Sequence, residues 1–154
     1  KSDRTEEGAD DGASEGQLQM RAFEDGHLDT LARQSLNFLE RIDDLVEISG
    51  GRVVVFYIPA SYRIGKYRYF CEVISQYNNE TCTTLRQTNG LGDALASWFR
   101  NRNISFIDPT STFRRLEKEG NRLYFEKDGH WTSVGHTAAA DLLANFIHDR
   151  GYLD

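Results

Sequence analysis

No apolar run in this chain approaches the ~18 residues that a helix needs to cross a bilayer, so no membrane-spanning segment is expected. Positive charge is also scarce. Lysine and arginine number 18 against 24 aspartates and glutamates, giving a net charge of −6. That balance speaks against a nucleic-acid surface. The densest basic cluster, Arg63-Ile64-Gly65-Lys66-Tyr67-Arg68, is short and reads as a solvated turn. No secretory leader stands at the start, and a chain opening at Lys1 without an initiator Met is expected to be a piece of a longer protein. Cysteine is limited to Cys71 and Cys82. Two thiols at this spacing match no zinc pattern. They leave open a short-loop disulfide in an oxidising compartment or two unpaired thiols. No metal or other cofactor is expected.

What is present divides into a tail and a domain. Residues 1–17 are acidic, rich in Gly and Ser, and nearly devoid of apolar side chains. They cannot bury enough surface to offset the entropy of ordering and read as a flexible tail or linker. Residues 18–154 are long enough to bury one core. Leu28, Leu31, Phe38, Leu39, Ile42, Leu45 and Val46 recur at helical spacing and predict an amphipathic helix ending at Gly50-Gly51. The run Arg52 to Ile58 is apolar without alternation, as in a parallel strand covered on both faces, and Pro59 stops it. A helix is expected over residues 67–77, a polar loop over 78–92, and a third helix capped by Asp93. Ile104 to Ile107 reads as a buried strand ended by Asp108-Pro109, with Thr110 or Ser111 capping the next helix. Thr132 or Ser133 should cap a final helix whose buried face is Val134, Ala138, Leu142, Leu143, Phe146 and Ile147. The alternation is that of an α/β protein with parallel strands. Only two core strands are convincing, too few for a whole sheet.

The chemistry concentrates in Tyr124-Phe125-Glu126-Lys127-Asp128-Gly129-His130-Trp131-Thr132. A carboxylate two residues before an imidazole can hold one ring N–H and leave the other nitrogen free to accept a proton. The ordinary reading of such a pair is a polar turn leading into a helix. Trp131 is expected to pack under the imidazole and fix its angle, with sugar stacking as the other possibility. His136 is placed as a solvated helix residue or an outer donor to the site. Asp128, His130 and His136 lack the i, i+4 histidine spacing of a helical metal site. Ser61 and Tyr62 sit just past the carboxyl end of a strand, where open α/β sheets bind ligands. They are candidate substrate-pocket residues, or else an ordinary strand-to-helix cap.

The block Asp128-Gly129-His130-Trp131-Thr132, with Gly135-His136 and the Ala-rich helix after it, resembles the closing block of SGNH hydrolases. Asp-x-His-Trp is most similar to the acetyltransferase-like branch that includes the alginate O-acetylation proteins. The strand running into Ile58-Pro59-Ala60-Ser61 and the strand from Ile104 to Asp108 resemble that branch in order. The resemblance spans roughly Leu28 to Ile147. It implies a three-layer, flavodoxin-like α/β fold, a parallel sheet flanked by helices and incomplete in this chain. It also implies that His130 is the general base and Asp128 its orienting carboxylate, with acyl transfer to or from a glycan as the activity. The family's Ser nucleophile, in a Gly-Asp-Ser motif, does not occur here. Gly92-Asp93-Ala94 has Ala in its place, and no Gly-x-Asn-Asp block occurs. The Ser is therefore expected in a segment outside these residues, and the expected partners are that segment and an acylated glycan or acetyl donor. A non-catalytic module binding carbohydrate or protein through the same cleft is the alternative. The resemblance further suggests an extracytoplasmic setting, periplasmic or secreted.

Overall fold

A computed structural model describes residues 30–67, 71–72 and 79–152. The expected tail over 1–17 and most of the helix expected over 67–77 lie outside the described residues. In chain order the elements are α1 (Thr30–Ile48), β1 (Val54–Phe56), α2 (Ser61–Ile64), α3 (Asn79–Gln87), α4 (Gly90–Arg100), β2 (Ser105–Ile107), α5 (Thr110–Lys118) and α6 (Ser133–Asp149).

The two strands pair in parallel, with Val54 opposite Ser105, Val55 opposite Phe106 and Phe56 opposite Ile107. Tyr57 extends the ladder by one bond, its N–H donating to the Ile107 carbonyl at 2.9 Å. Side chains alternate across a strand, and the packing follows. Val53, Val55 and Phe106 join Leu36 of α1 and Trp98 and Phe99 of α4 on one face. Phe56 joins Phe113 of α5 and Ala139 of α6 on the other. The result is helix, sheet, helix: an α/β fold with a small parallel sheet. A third cluster, Tyr62 with Leu85 and the Cys71–Cys82 disulfide, locks α2 to α3. The bridge decides between the two thiol readings.

Several local expectations change. The predicted buried face of α1 is largely outside the core. Leu36 is buried, whereas Phe38, Ile42 and Leu45 are 61%, 48% and 67% exposed. Gly50 ends α1 as predicted, at φ 76°, a left-handed conformation that glycine adopts without penalty. Strand β1 is shorter than the apolar run, and its three residues are half-buried. The polar stretch 79–92 is not a loop: it forms α3 and the start of α4. Cys82 and Leu85 are one turn apart and both buried, so tertiary packing outweighs polar composition. Helix α4 begins at Gly90 after Asn89, which puts Asp93 in the first turn rather than at the cap. Helix α5 is capped from outside, Asp108 Oδ1 accepting from the Thr110 N–H at 2.9 Å. At α6 the expected Thr132 cap is present, its hydroxyl accepting from Gly135 N–H at 3.2 Å. The residues buried there are Gly135 and Ala139, while Val134 is exposed.

Candidate active site

The Asp128–His130 turn is built by a short antiparallel closure. Tyr124 and Trp131 form a bridge, the Phe125 N–H donates to the His130 carbonyl at 3.1 Å, and the Thr132 N–H donates to the Leu123 carbonyl at 2.9 Å. Thr132 does two jobs. Its hydroxyl donates to the Arg122 carbonyl at 2.6 Å while capping α6. Gly135 is required where it stands, because a Cβ there would run into the Leu123 carbonyl oxygen. The amino end of α6 therefore rests directly on the strand that carries the turn.

Within the turn, Asp128 Oδ1 accepts from the His130 backbone N–H at 3.0 Å, the Asx-turn geometry that short acidic side chains favour. The same oxygen is paired with His130 Nδ1. These two bonds, the ring contact foremost, hold the Asp128 carboxyl below its ordinary range. With Nδ1 donating to Asp128, Nε2 is left to accept a proton. The His130 side chain is 86% exposed and that of Asp128 is 56% exposed. The pair is thus preorganised but stands in the open.

Below the turn lies a buried polar network. The Tyr124 phenol donates to the Pro59 carbonyl at 2.5 Å, which ties the residue leading into the turn to the segment between β1 and α2. The Tyr124 N–H donates to the Tyr67 hydroxyl at 3.1 Å. That hydroxyl in turn donates to Glu117 Oε1, which also accepts from the Leu123 N–H at 2.8 Å. Burial and the Glu117 contact push the Tyr67 phenol up to about 12, and burial raises that of Tyr124 as well. Both therefore stay protonated donors at neutral pH.

Trp131 completes the support. It meets Phe56, Phe113 and Tyr124 edge-on, with ring centroids 6.2, 5.7 and 6.4 Å away. The imidazole edge-on to its ring, at 5.4 Å, is that of His136 rather than His130. Trp131 anchors the turn from beneath through the sheet and α5. Ser61 and Tyr62 lie in α2, just after Pro59, and are 2% and 3% exposed. Tyr62 packs against the disulfide. Among the described residues no hydrogen bond joins Ser61 to His130, and no cluster of His, Cys, Asp or Glu is arranged to hold a metal ion. Sequence reasoning singled out Asp128, His130, Trp131, Ser61 and Tyr62. It missed Tyr67, Glu117 and Tyr124, whose partners lie up to 65 residues away. No local pattern signals such contacts.

Residues 25–154 match the family model described as SGNH hydrolase-like domain, acetyltransferase AlgX. No curated protein and no solved structure matches the chain. The match covers most of the 154 residues, and the chain belongs to this family.

Proposed function

We propose that this member of the SGNH hydrolase-like acetyltransferase family supplies the histidine and aspartate of a Ser-His-Asp triad. The observation that carries the reading is the geometry of the turn. One Asp128 oxygen holds both the backbone and the ring Nδ1 of His130, leaving Nε2 outward. In the proposed reaction Nε2 removes the proton of a serine hydroxyl as its oxygen attacks an acetyl carbonyl. Asp128 stabilises the imidazolium that results. The imidazolium returns that proton to the departing alkoxide, leaving an acetyl-serine; a sugar hydroxyl or water, giving its proton to Nε2, then attacks the acetyl carbonyl, and the serine oxygen leaves and takes that proton back from the imidazolium. The serine comes from outside these 154 residues, since no Gly-Asp-Ser occurs in them. Ser61 is buried and not bonded to His130. The substrate is an acylated glycan or an acetyl donor, in an extracytoplasmic setting with which the Cys71–Cys82 disulfide agrees.

The test uses the protein of the complete gene, an acetyl ester and a serine-reactive fluorophosphonate whose adduct is mapped by mass spectrometry. Adduct on a serine outside this segment is expected, together with a turnover loss of roughly 10²–10⁴-fold in His130→Ala, the usual worth of a general base. Adduct at Ser61, no adduct in folded protein, or full turnover by His130→Ala would each end the proposal.

A further inference from the structure

Asp128 is followed by glycine, and an Asp-Gly peptide carries a chemistry of its own. The backbone nitrogen of the glycine can attack the carboxyl carbon of the aspartate, because no Cβ hinders the approach. The chain has three such pairs, beginning at Asp11, Asp25 and Asp128, and the last lies among the described residues.

The structure prepares this pair for the reaction. The Asp128 side chain is 56% exposed, and residues 126–130 lie outside any helix or strand. Asp128 Oδ1 accepts from the His130 N–H at 3.0 Å. That bond closes a ring of atoms containing both Asp128 Cγ and the Gly129 nitrogen, so the side chain is folded back along the peptide group that carries the attacking atom. Among the described residues the Gly129 N–H donates to no acceptor, and no bond has to break to free its nitrogen. Nor does the turn need glycine for its conformation. Among the described residues positive φ is confined to Asn103, Gly50, Gly120 and Gly151.

We infer that Asp128 converts without an enzyme to isoaspartate, through a cyclic imide with the Gly129 nitrogen. In the first step a C–N bond forms at Cγ, and one carboxyl oxygen departs as water with the amide proton and one proton from solvent. The His130 contacts favour the ionised carboxyl, which must gain that proton before it loses oxygen, so the conversion belongs to ageing and not to turnover. In the second step water adds to the imide. Opening at Cγ restores aspartate. Opening at the Asp128 backbone carbonyl carbon leaves the chain running through Cγ, longer by a methylene, with the carboxylate now directly on Cα. Cγ then carries a peptide carbonyl, and the carboxylate oxygen that held the His130 N–H and ring is lost. The effect on activity rests on the triad proposed above; the modification does not.

The protein of the complete gene is aged at neutral pH, folded and in urea, and digested. Isoaspartate is recognised in peptides holding residue 128 by unchanged mass with shifted chromatographic retention, by methylation with an isoaspartyl methyltransferase, and by resistance to an Asp-specific protease. It should accumulate at Asp128 in the folded protein, and Gly129→Ala should slow it severalfold. Should Gly129→Ala not fold, the wild-type time courses in the folded and unfolded states decide the matter. Turnover of an acetyl ester should fall in step with isoaspartate content and recover on methyltransferase repair. Isoaspartate with turnover intact would uphold the modification and count against the triad. Aspartate persisting at 128 in the folded protein while the protein in urea converts, or equal conversion in folded Gly129→Ala, overturns the inference.

Discussion

Removing one oxygen, in Tyr124→Phe, tests whether the Asp128–His130 turn is held from beneath. The phenyl ring stays, and with it the edge-on contacts to Tyr67, Phe113 and Trp131 at centroid distances of 5.5, 6.5 and 6.4 Å. What goes is the 2.5 Å bond to the Pro59 carbonyl. Both residues are fully buried, so no water replaces the lost donor and the carbonyl is left without it. An orphaned buried acceptor costs about 1–3 kcal/mol. For a chain of this size that lowers the melting temperature by roughly 2–4 °C per kcal/mol. The assay is urea unfolding, with the midpoint falling and the slope unchanged, since the surface exposed on unfolding is the same. The Tyr67 hydroxyl receives the Tyr124 N–H, so Tyr67→Phe should couple to Tyr124→Phe. In a double-mutant cycle a coupling of at least ~0.5 kcal/mol is expected. A Tyr124→Phe cost below ~0.5 kcal/mol, or strict additivity of the two changes, would refute the network as a support of the turn.

Three further outcomes are expected. The Asp128 carboxyl, followed by NMR, should titrate below the ordinary 3.8 and rise toward it in His130→Ala, which removes the ring contact and keeps the backbone N–H bond. Because its folded value is depressed, its contribution to stability is present above 3.8 and is lost as pH falls through the folded value. Gly135→Ala should destabilise by about 1–3 kcal/mol in thermal unfolding, since the added methyl meets a backbone oxygen that can move only with the Leu123 strand. Reducing the Cys71–Cys82 bridge, or replacing both residues with alanine, should cost about 3 kcal/mol by loop entropy, read as a lower urea midpoint than the oxidised chain.

The parts legible in the sequence are those whose cause is local. Asp128 and His130 are two residues apart, and their contact needs only a turn that Asp-Gly favours. The Thr132 cap and the Gly50 terminus are likewise settled within a few residues, whereas β1 ends at Phe56, short of Pro59. The parts that were not legible depend on distant partners. Residues 79–87 are polar, and among the described residues the disulfide to Cys71 and the packing of Leu85 with Tyr62 favour a helix there. The α1 stripe was predicted correctly as a stripe, but periodicity states only that Phe38, Ile42 and Leu45 share a face. It does not state what covers them.

The same division explains how the site is constructed. An Asp-x-His pair would orient its imidazole in almost any exposed turn, so the pairing alone carries little positional information. Here the pair is placed by residues that do no chemistry. Tyr124 is bonded through its hydroxyl to Pro59 and through its N–H to Tyr67, so the segment entering the turn is fixed both to the connection between β1 and α2 and to Glu117 of α5. The exit is fixed by Thr132 and by the close approach of Gly135 to Leu123. Entry and exit are thus held by different elements, and the turn between them has little freedom to drift. In the proposed reaction, a general base held in this way would lose little orientation entropy when a nucleophile arrives, which is where positioning contributes to rate. His130 needs no burial of its own for that, and its 86% exposure is compatible with a serine approaching from the solvent side.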